Sequence, residues 1–121
     1  MQHRRHILIS AAALSCAPAL WAQPAFPHKP LKIVVPNAAG GAADIIGRAI
    51  AEKLGALYGR TIIVENMPGA GSNIGVTAAA RSQPDGHTLL LASVAVAANV
   101  SLFKSLSYDP LKDLAPLTLA L

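Results

Sequence analysis

The chain has 121 residues, enough for one domain at most, and its ten basic and six acidic side chains give a formal net charge of +4. Aromatic residues make up only 4% of the chain, and the one basic cluster lies at the amino terminus, so the composition gives little support to nucleic-acid binding. His28 and His87 stand far apart with no ligand partner at metal spacing. We therefore expect structural or surface roles for both histidines and no metal site.

Residues 1–22 are typical of a secretory signal peptide. Two arginines open the segment, residues 7–14 form a short apolar run, and a cut after Ala22 is predicted. The apolar run is too short to span a bilayer, and the arginine pair leaves twin-arginine export open beside ordinary Sec export. We expect a periplasmic mature chain, residues 23–121, with a charge of +2 from eight basic and six acidic side chains. It lacks Cys16, the only cysteine, and so has no disulfide and no thiolate metal site.

The first regular elements are a strand and a helix joined by a glycine loop. Residues 31–35 are nearly all apolar, as expected of a parallel strand covered on both faces. The loop after this strand contains Gly40 and Gly41. Residues 42–57 carry an apolar stripe at helical spacing, and Gly59 is a predicted helix stop.

This strand, glycine turn and helix start predict an anion site. The first N–H groups of a helix have no partner within the helix, and the helix dipole adds partial positive charge there. Such a site suits a carboxylate or a phosphate. Asp44 stands in the first helical turn, where a structural role is favoured over direct contact with a ligand.

The middle of the chain repeats the pattern. Residues 61–65 predict a second buried strand, and a glycine-rich loop leads to Ser72 as the predicted cap of a helix over 73–82. Residues 84–86, Pro-Asp-Gly, predict a turn. Residues 88–92 predict a third buried strand.

The last part of the chain is less regular. Residues 93–98 are predicted to form a small-residue loop, followed by a short helix over 97–103. Residues 114–121 are expected to begin a fourth strand.

The alternation of strands and helices predicts an α/β fold with a mainly parallel sheet. Right-handed crossovers allow the strand order 2-1-3, with the first strand in the centre. In such sheets, ligands bind where the loops after neighbouring strands diverge, outside the carboxyl ends of the strands. The predicted site is therefore the loop 36–44 facing the loop 93–98.

Two enzymatic alternatives have weaker support. The glycines of residues 69–75 follow a strand and open a helix, but their spacing is G-x-G-x-x-x-G rather than the dinucleotide-binding G-x-G-x-x-G. Close helix–strand packing explains them well, so no cofactor is predicted. Ser93 has no histidine or carboxylate visibly paired with it, so a hydroxyl that donates to a ligand is favoured over a nucleophile.

Five segments of the chain form a recognisable set: 29–36 (KPLKIVVP), 40–44 (GGAAD), 64–75 (VENMPGAGSNIG), 84–91 (PDGHTLLL) and 108–110 (YDP). With them the sequence resembles the Bug family, the extracytoplasmic solute-binding receptors of tripartite tricarboxylate transporters. The resemblance extends over residues 27–121, and its most specific parts are the runs 65–75 and 84–91.

The resemblance implies a type II-like periplasmic-binding fold with two α/β lobes, of which this chain supplies the amino-terminal part of the first. It implies capture of small organic acids such as di- or tricarboxylates, and membrane subunits of a transporter as partners. It also implies that the loops after the first and third strands hold a carboxylate. The ligand-binding residues expected from it are Asn37, Ala38, Ala39, Gly40, Gly41, Asp44, Ser93, Val94 and Ala95.

Three functions therefore stay open at this point. A carboxylate-binding module of a periplasmic receptor is favoured. The alternatives are an exported enzyme, nucleotide-dependent or based on Ser93, and a truncated product without activity. The family usually has an aromatic residue where Asn37 stands, so contacts over the ligand are expected to differ here.

Overall fold

A parallel sheet of three strands forms the centre of residues 25–120, the part of the chain that the computed structural model describes. In chain order the elements are β1 (Leu31–Val35), α1 (Ala42–Tyr58), β2 (Ile62–Asn66), a 3₁₀ turn (Ala70–Ser72), α2 (Asn73–Ala80), β3 (Thr88–Leu90) and α3 (Val94–Leu102). The strand order is β2-β1-β3, and β1 is parallel to both neighbours. The predicted α/β class and the order 2-1-3 are thus confirmed.

The helices cover the two faces of the sheet. Helix α1 packs against β1 and β2, and Ala51 of this helix joins Ile33 and Val35 of β1 in the buried core. Side chains alternate between the faces of a strand, so Val34 points to the other face. Helix α2 packs there, against β1 and β3, with Val76 fully buried. The crossover from β1 to β2 runs one way along the sheet, and the crossover from β2 to β3 runs back past β1. Two right-handed crossovers in opposite directions place their helices on opposite faces.

Two helix starts differ in part from the sequence expectation. Helix α2 begins at Asn73 with Ser72 before it, as predicted, but Ser72 has a left-handed backbone (φ 77°) and its side chain makes no cap bond. Side-chain caps form from an extended backbone, so the position of the predicted cap is confirmed and its side-chain bond is not. Ser93 does have that extended backbone (φ −119°), and its Oγ accepts a hydrogen bond from the N–H of Ala95. Helix α3 therefore begins at Val94, and most of the predicted loop 93–98 is helical.

The predicted fourth strand is also wrong as far as residue 120. Residues 114–120 have no regular secondary structure, and Leu117 and Leu119 are each 77% exposed. A strand needs a neighbouring strand to satisfy its N–H and C=O groups, and the described sheet ends at β2 on one side and β3 on the other. The proposed signal segment, residues 1–22, lies outside the described residues.

The segment before β1 packs over the start of β3. Phe26 and His28 both contact the buried ring of His87, with ring centroids 4.8 and 4.4 Å away. Lys29 forms an ion pair with Asp85 in the turn before β3, which holds the pKa of the Asp85 carboxyl far below its usual range, and the N–H of His87 adds to this effect. The two histidines, distant in sequence, are thus neighbours. Nowhere in residues 25–120 is there a helix long and apolar enough to cross a membrane.

Candidate functional site

Two helices begin at the same edge of the sheet. Helix α1 follows β1, helix α3 follows β3, and these two strands are parallel neighbours. The N–H of Leu91 donates to the carbonyl of Val34 across 3.0 Å, which extends the pairing to the ends of both strands. The starts of α1 and α3 therefore carry unpaired helix N–H groups at one edge, the edge at which ligands of parallel sheets bind.

The loop before α1 depends on one glycine for its backbone conformation. Gly40 has φ +82°, a left-handed angle, and no atom lies within 4 Å of where its side chain would stand. Gly41 has φ −80° and caps α1 without a side chain. Its N–H donates to the carbonyl of Ala38 across 3.4 Å, which closes a tight exposed turn over residues 38–41. Ala42, Ala43 and Asp44 follow as the first helical residues, whose N–H groups have no acceptor within the helix.

The carboxylate of Asp44 lies beneath this loop. It is 4% exposed, and its Oδ2 accepts from the N–H of Gly40 at 2.8 Å and from Nε of Arg48 at 3.0 Å. Its Oδ1 accepts from Nδ2 of Asn66 at 3.0 Å. The hydrogen bond from Arg48 is the largest cause, followed by that from Gly40, of a pKa lowered from 3.8 to about 2. These partners favour the structural role for Asp44, while direct contact with a ligand stays a prediction.

Asn66 joins the Asp44 carboxylate to the beginning of the loop. Its Nδ2 also donates to the backbone carbonyl of Asn37 at 3.2 Å, and its Oδ1 accepts from Nη2 of Arg48 at 3.3 Å. The side-chain Oδ1 of Asn37 is buried and has no hydrogen-bond partner among the described residues. The loop is thus fixed at one end through the Asn37 carbonyl and at the other through the Gly40 N–H.

The second predicted segment is the first turn of α3. Ser93 accepts through Oγ from the N–H of Ala95 at 3.3 Å, and its own hydroxyl hydrogen is left to donate. Val94 is 84% exposed, and its N–H, the first of the helix, has no acceptor within the helix. An open groove of about 500 Å³ begins at Ser93 and is mostly apolar; its walls are Ser93, Val96, Ala97, Val100, Ser101, Asp109, Pro110 and Leu111.

The structure therefore divides the predicted residues into two groups. Asn37, Ala38, Ala39, Gly40, Gly41 and Asp44 form the loop and first turn after β1. Ser93, Val94 and Ala95 form the capped turn after β3, beside the apolar groove, whose walls include none of the first group. Sequence reasoning did not assign roles to Arg48 and Asn66. Arg48 stands four residues after Asp44, a spacing at which side chains on a helix meet.

The chain is similar in sequence and structure to periplasmic receptors. A sequence model described as the tripartite tricarboxylate transporter family receptor matches residues 46–120. Protein BugT of Bordetella pertussis is 38% identical over 96 residues, which are 78% of this chain and 29% of BugT. The solved structure of MatC from Rhodopseudomonas palustris with bound malate is 40% identical, with a TM-score of 0.68 over 73% of this chain and 30% of MatC. A second R. palustris protein, solved with adipate, is 30% identical, with a TM-score of 0.67 over 71% of this chain and 29% of that protein.

The fold and the two helix starts define an α/β lobe of a periplasmic binding protein. The chain belongs to the tripartite tricarboxylate transporter receptor family, as the match over residues 46–120 shows. The Bug-type resemblance of the sequence is confirmed by BugT. The chain spans less than a third of the length of these relatives.

Proposed function

We propose that this chain is the amino-terminal part of a periplasmic receptor that captures small organic acids for a tripartite transporter. Residues 1–22 serve as its signal peptide, and residues 23–121 form part of the first lobe. Membrane subunits of the transporter are its macromolecular partners. It needs no cofactor and performs no catalysis.

The main support for this proposal is that two helices begin at the same edge of the sheet, one after β1 and one after β3. A carboxylate between them accepts hydrogen bonds from the N–H groups of Ala42 and Ala43 on one side and from the Val94 N–H and the Ser93 hydroxyl on the other. Asp44 leaves these donors available because its carboxylate is occupied beneath the loop. The relatives solved with malate and adipate support a dicarboxylate as the ligand.

The chain alone is expected to bind such a ligand weakly. A hydrogen bond to a charged group contributes about 1.5–3 kcal/mol, whereas association costs roughly 4–15 kcal/mol of lost freedom. Three or four such contacts contribute about 4.5–12 kcal/mol in all, most of which the cost of association cancels. We therefore expect a dissociation constant of about 1 mM or weaker, which corresponds to a net free energy of about 4 kcal/mol or less. A second lobe that closes over the site excludes water and strengthens every contact.

An NMR titration of the ¹⁵N-labelled chain tests the proposal. Sodium malate and sodium adipate are added at constant ionic strength, with sodium chloride as the control. We expect saturable shifts, in the millimolar range, of the amide signals of residues 40–44 and 93–95. Shifts spread over the surface without saturation, or the same shifts with chloride, would contradict a carboxylate site here.

A further inference from the structure

We propose that Asn66 is a positioning residue of the carboxylate site, which it serves by fixing the Asn37 carbonyl to the Asp44 carboxylate. The inference rests on the proposed function. It concerns a residue that touches no ligand, because Asn66 stands at the end of β2, on the far side of β1 from Ser93.

The sheet register brings Asn66 to the loop. Asn66 pairs with Val35, the last residue of β1, so its side chain lies beside the point where the loop leaves the sheet. Residues 62, 64 and 66 of β2 lie opposite residues 31, 33 and 35 of β1, and Val64 packs on the core that α1 covers. The side chain of Asn66 thus lies on the α1 side of the sheet, where Asp44 and Arg48 stand.

Each polar group of the Asn66 amide has a defined partner. Nδ2 donates to Asp44 Oδ1 at 3.0 Å and to the Asn37 carbonyl at 3.2 Å, and Oδ1 accepts from Arg48 at 3.3 Å. An amide is the one uncharged side-chain group that donates twice and accepts at the same time. A carboxylate at this position lacks both donors and faces two oxygen atoms.

The bond to Asn37 determines where the free N–H groups of the loop point. The loop leaves β1 at Pro36; its Asn37 carbonyl accepts from Asn66, and its Gly40 N–H donates to Asp44. Because these two groups point inward, the turn over residues 38–41 stays exposed. Without Asn66 the Gly40 bond persists but the first part of the loop is untethered, so the donors lose their fixed geometry.

Three variants separate positioning from simple stability. Asn66→Leu removes all three hydrogen bonds at similar volume. The D44N/N66D double variant exchanges the amide and the carboxylate: the new amide at position 44 still accepts from Gly40 and donates to position 66, while the new carboxylate still accepts from Arg48. It loses the bond to the Asn37 carbonyl and sets a carboxylate oxygen against that carbonyl. Glu65→Gln is the matched control. Glu65 is the neighbouring residue of β2, its side chain points to the other face of the sheet, and it forms an ion pair with Lys32.

The malate titration followed by NMR and a urea unfolding curve are recorded for each variant. We expect Asn66→Leu and the double variant to weaken malate binding about fivefold or more, the change that loss of one hydrogen bond produces. The double variant keeps the hydrogen bonds of position 66 to position 44 and to Arg48, so it should unfold at a higher urea concentration than Asn66→Leu. Glu65→Gln should bind malate unchanged.

Malate binding by the double variant equal to that of the original chain would overturn the positioning role. If the double variant does not fold, Asn66→Leu decides through the same titration, read from its folded signals. If the original chain itself shows no saturable shifts, the carboxylate site is wrong and the positioning role falls with it. Binding by the original chain with no loss in either variant leaves the site standing and rejects only the role of Asn66.

Discussion

The backbone N–H of Gly40 donates to the Asp44 carboxylate across 2.8 Å, so a side chain of the first turn of α1 holds the loop that precedes the helix. This bond turns one loop N–H inward, and the ion pair with Arg48 offsets the negative charge of the carboxylate, which would otherwise repel an anionic ligand from the helix start. A single acidic residue can therefore stand in an anion site without opposing it.

Asp44 should make the stability of the chain depend on pH in acid. Because its pKa is lowered from 3.8 to about 2, its contribution is complete above the ordinary pKa and is lost as the pH falls through the lowered one. The urea midpoint of the original chain should exceed that of Asp44→Asn by an amount that shrinks from about pH 6 to about pH 2. Asp85 and Asp109 titrate in both chains and cancel in this difference. A difference independent of pH would show that the Asp44 charge has no role.

The two glycines of the loop should respond in opposite ways to serine. Gly40→Ser forces a side chain onto a left-handed backbone (φ +82°) and should lower the free energy of unfolding by about 1 kcal/mol. Gly41→Ser has an ordinary backbone and only the Ala38 carbonyl, 3.5 Å away, near its Cβ. It should stabilise the chain by a few tenths of a kcal/mol through a helix cap.

The same Gly41→Ser variant should nevertheless weaken malate binding, because its hydroxyl accepts from the helix N–H groups that would hold the carboxylate. Urea unfolding and the NMR titration together measure this trade between stability and binding. Gly41→Ala is the control, since it adds the Cβ without the hydroxyl. Tighter malate binding by Gly41→Ser would contradict the assignment of these N–H groups to the ligand.

Gly75 should be a packing glycine rather than part of a dinucleotide site. A Cβ on this residue would stand 2.8 Å from the Pro36 side chain and 2.9 Å from the Met67 carbonyl. Gly75→Ala should therefore lower the free energy of unfolding by about 1–3 kcal/mol through overpacking. Alanine is preferred over glycine in helices by about 1 kcal/mol, so a stabilised variant in thermal or urea unfolding would disprove the close contact.

The architecture was predictable because each strand is a short apolar run between turn residues, and because right-handed crossovers leave few orders for three parallel strands. The start of α3 could not be predicted in the same way, because its small apolar residues form no helical stripe. The deciding feature is the hydrogen bond that the Ala95 N–H donates to the Ser93 Oγ. The role of Asn66 depends on the register that places it opposite Val35. Periodicity identifies strands, but it does not specify which residues of two strands stand side by side.

Export should yield a mature chain that begins at Gln23. The basic start, the apolar run over residues 7–14 and Ala22 predict this cut. Mass spectrometry of the periplasmic fraction should give the mass of residues 23–121, and Ala22→Arg, which blocks the small-residue position before the cut, should leave the precursor uncleaved. An intact chain recovered from the cytosol of cells that express the original sequence would contradict the signal assignment.

The chain by itself should self-associate. Val94, Leu111, Leu117 and Leu119 are each at least 77% exposed. Strand β2 has no partner on its outer side among residues 25–120, and neither has β3. Open strand edges beside exposed apolar side chains favour association between copies.

Sedimentation velocity should show a weight-average mass that rises with concentration. The double variant L117K/L119K, which adds charge to the exposed segment without touching the sheet, should reduce that rise. A chain that stays monomeric across the whole concentration range would show that neither the exposed apolar side chains nor the strand edges drive association. If the lysine variant associates as strongly as the original, the strand edges rather than residues 117–119 hold the copies together.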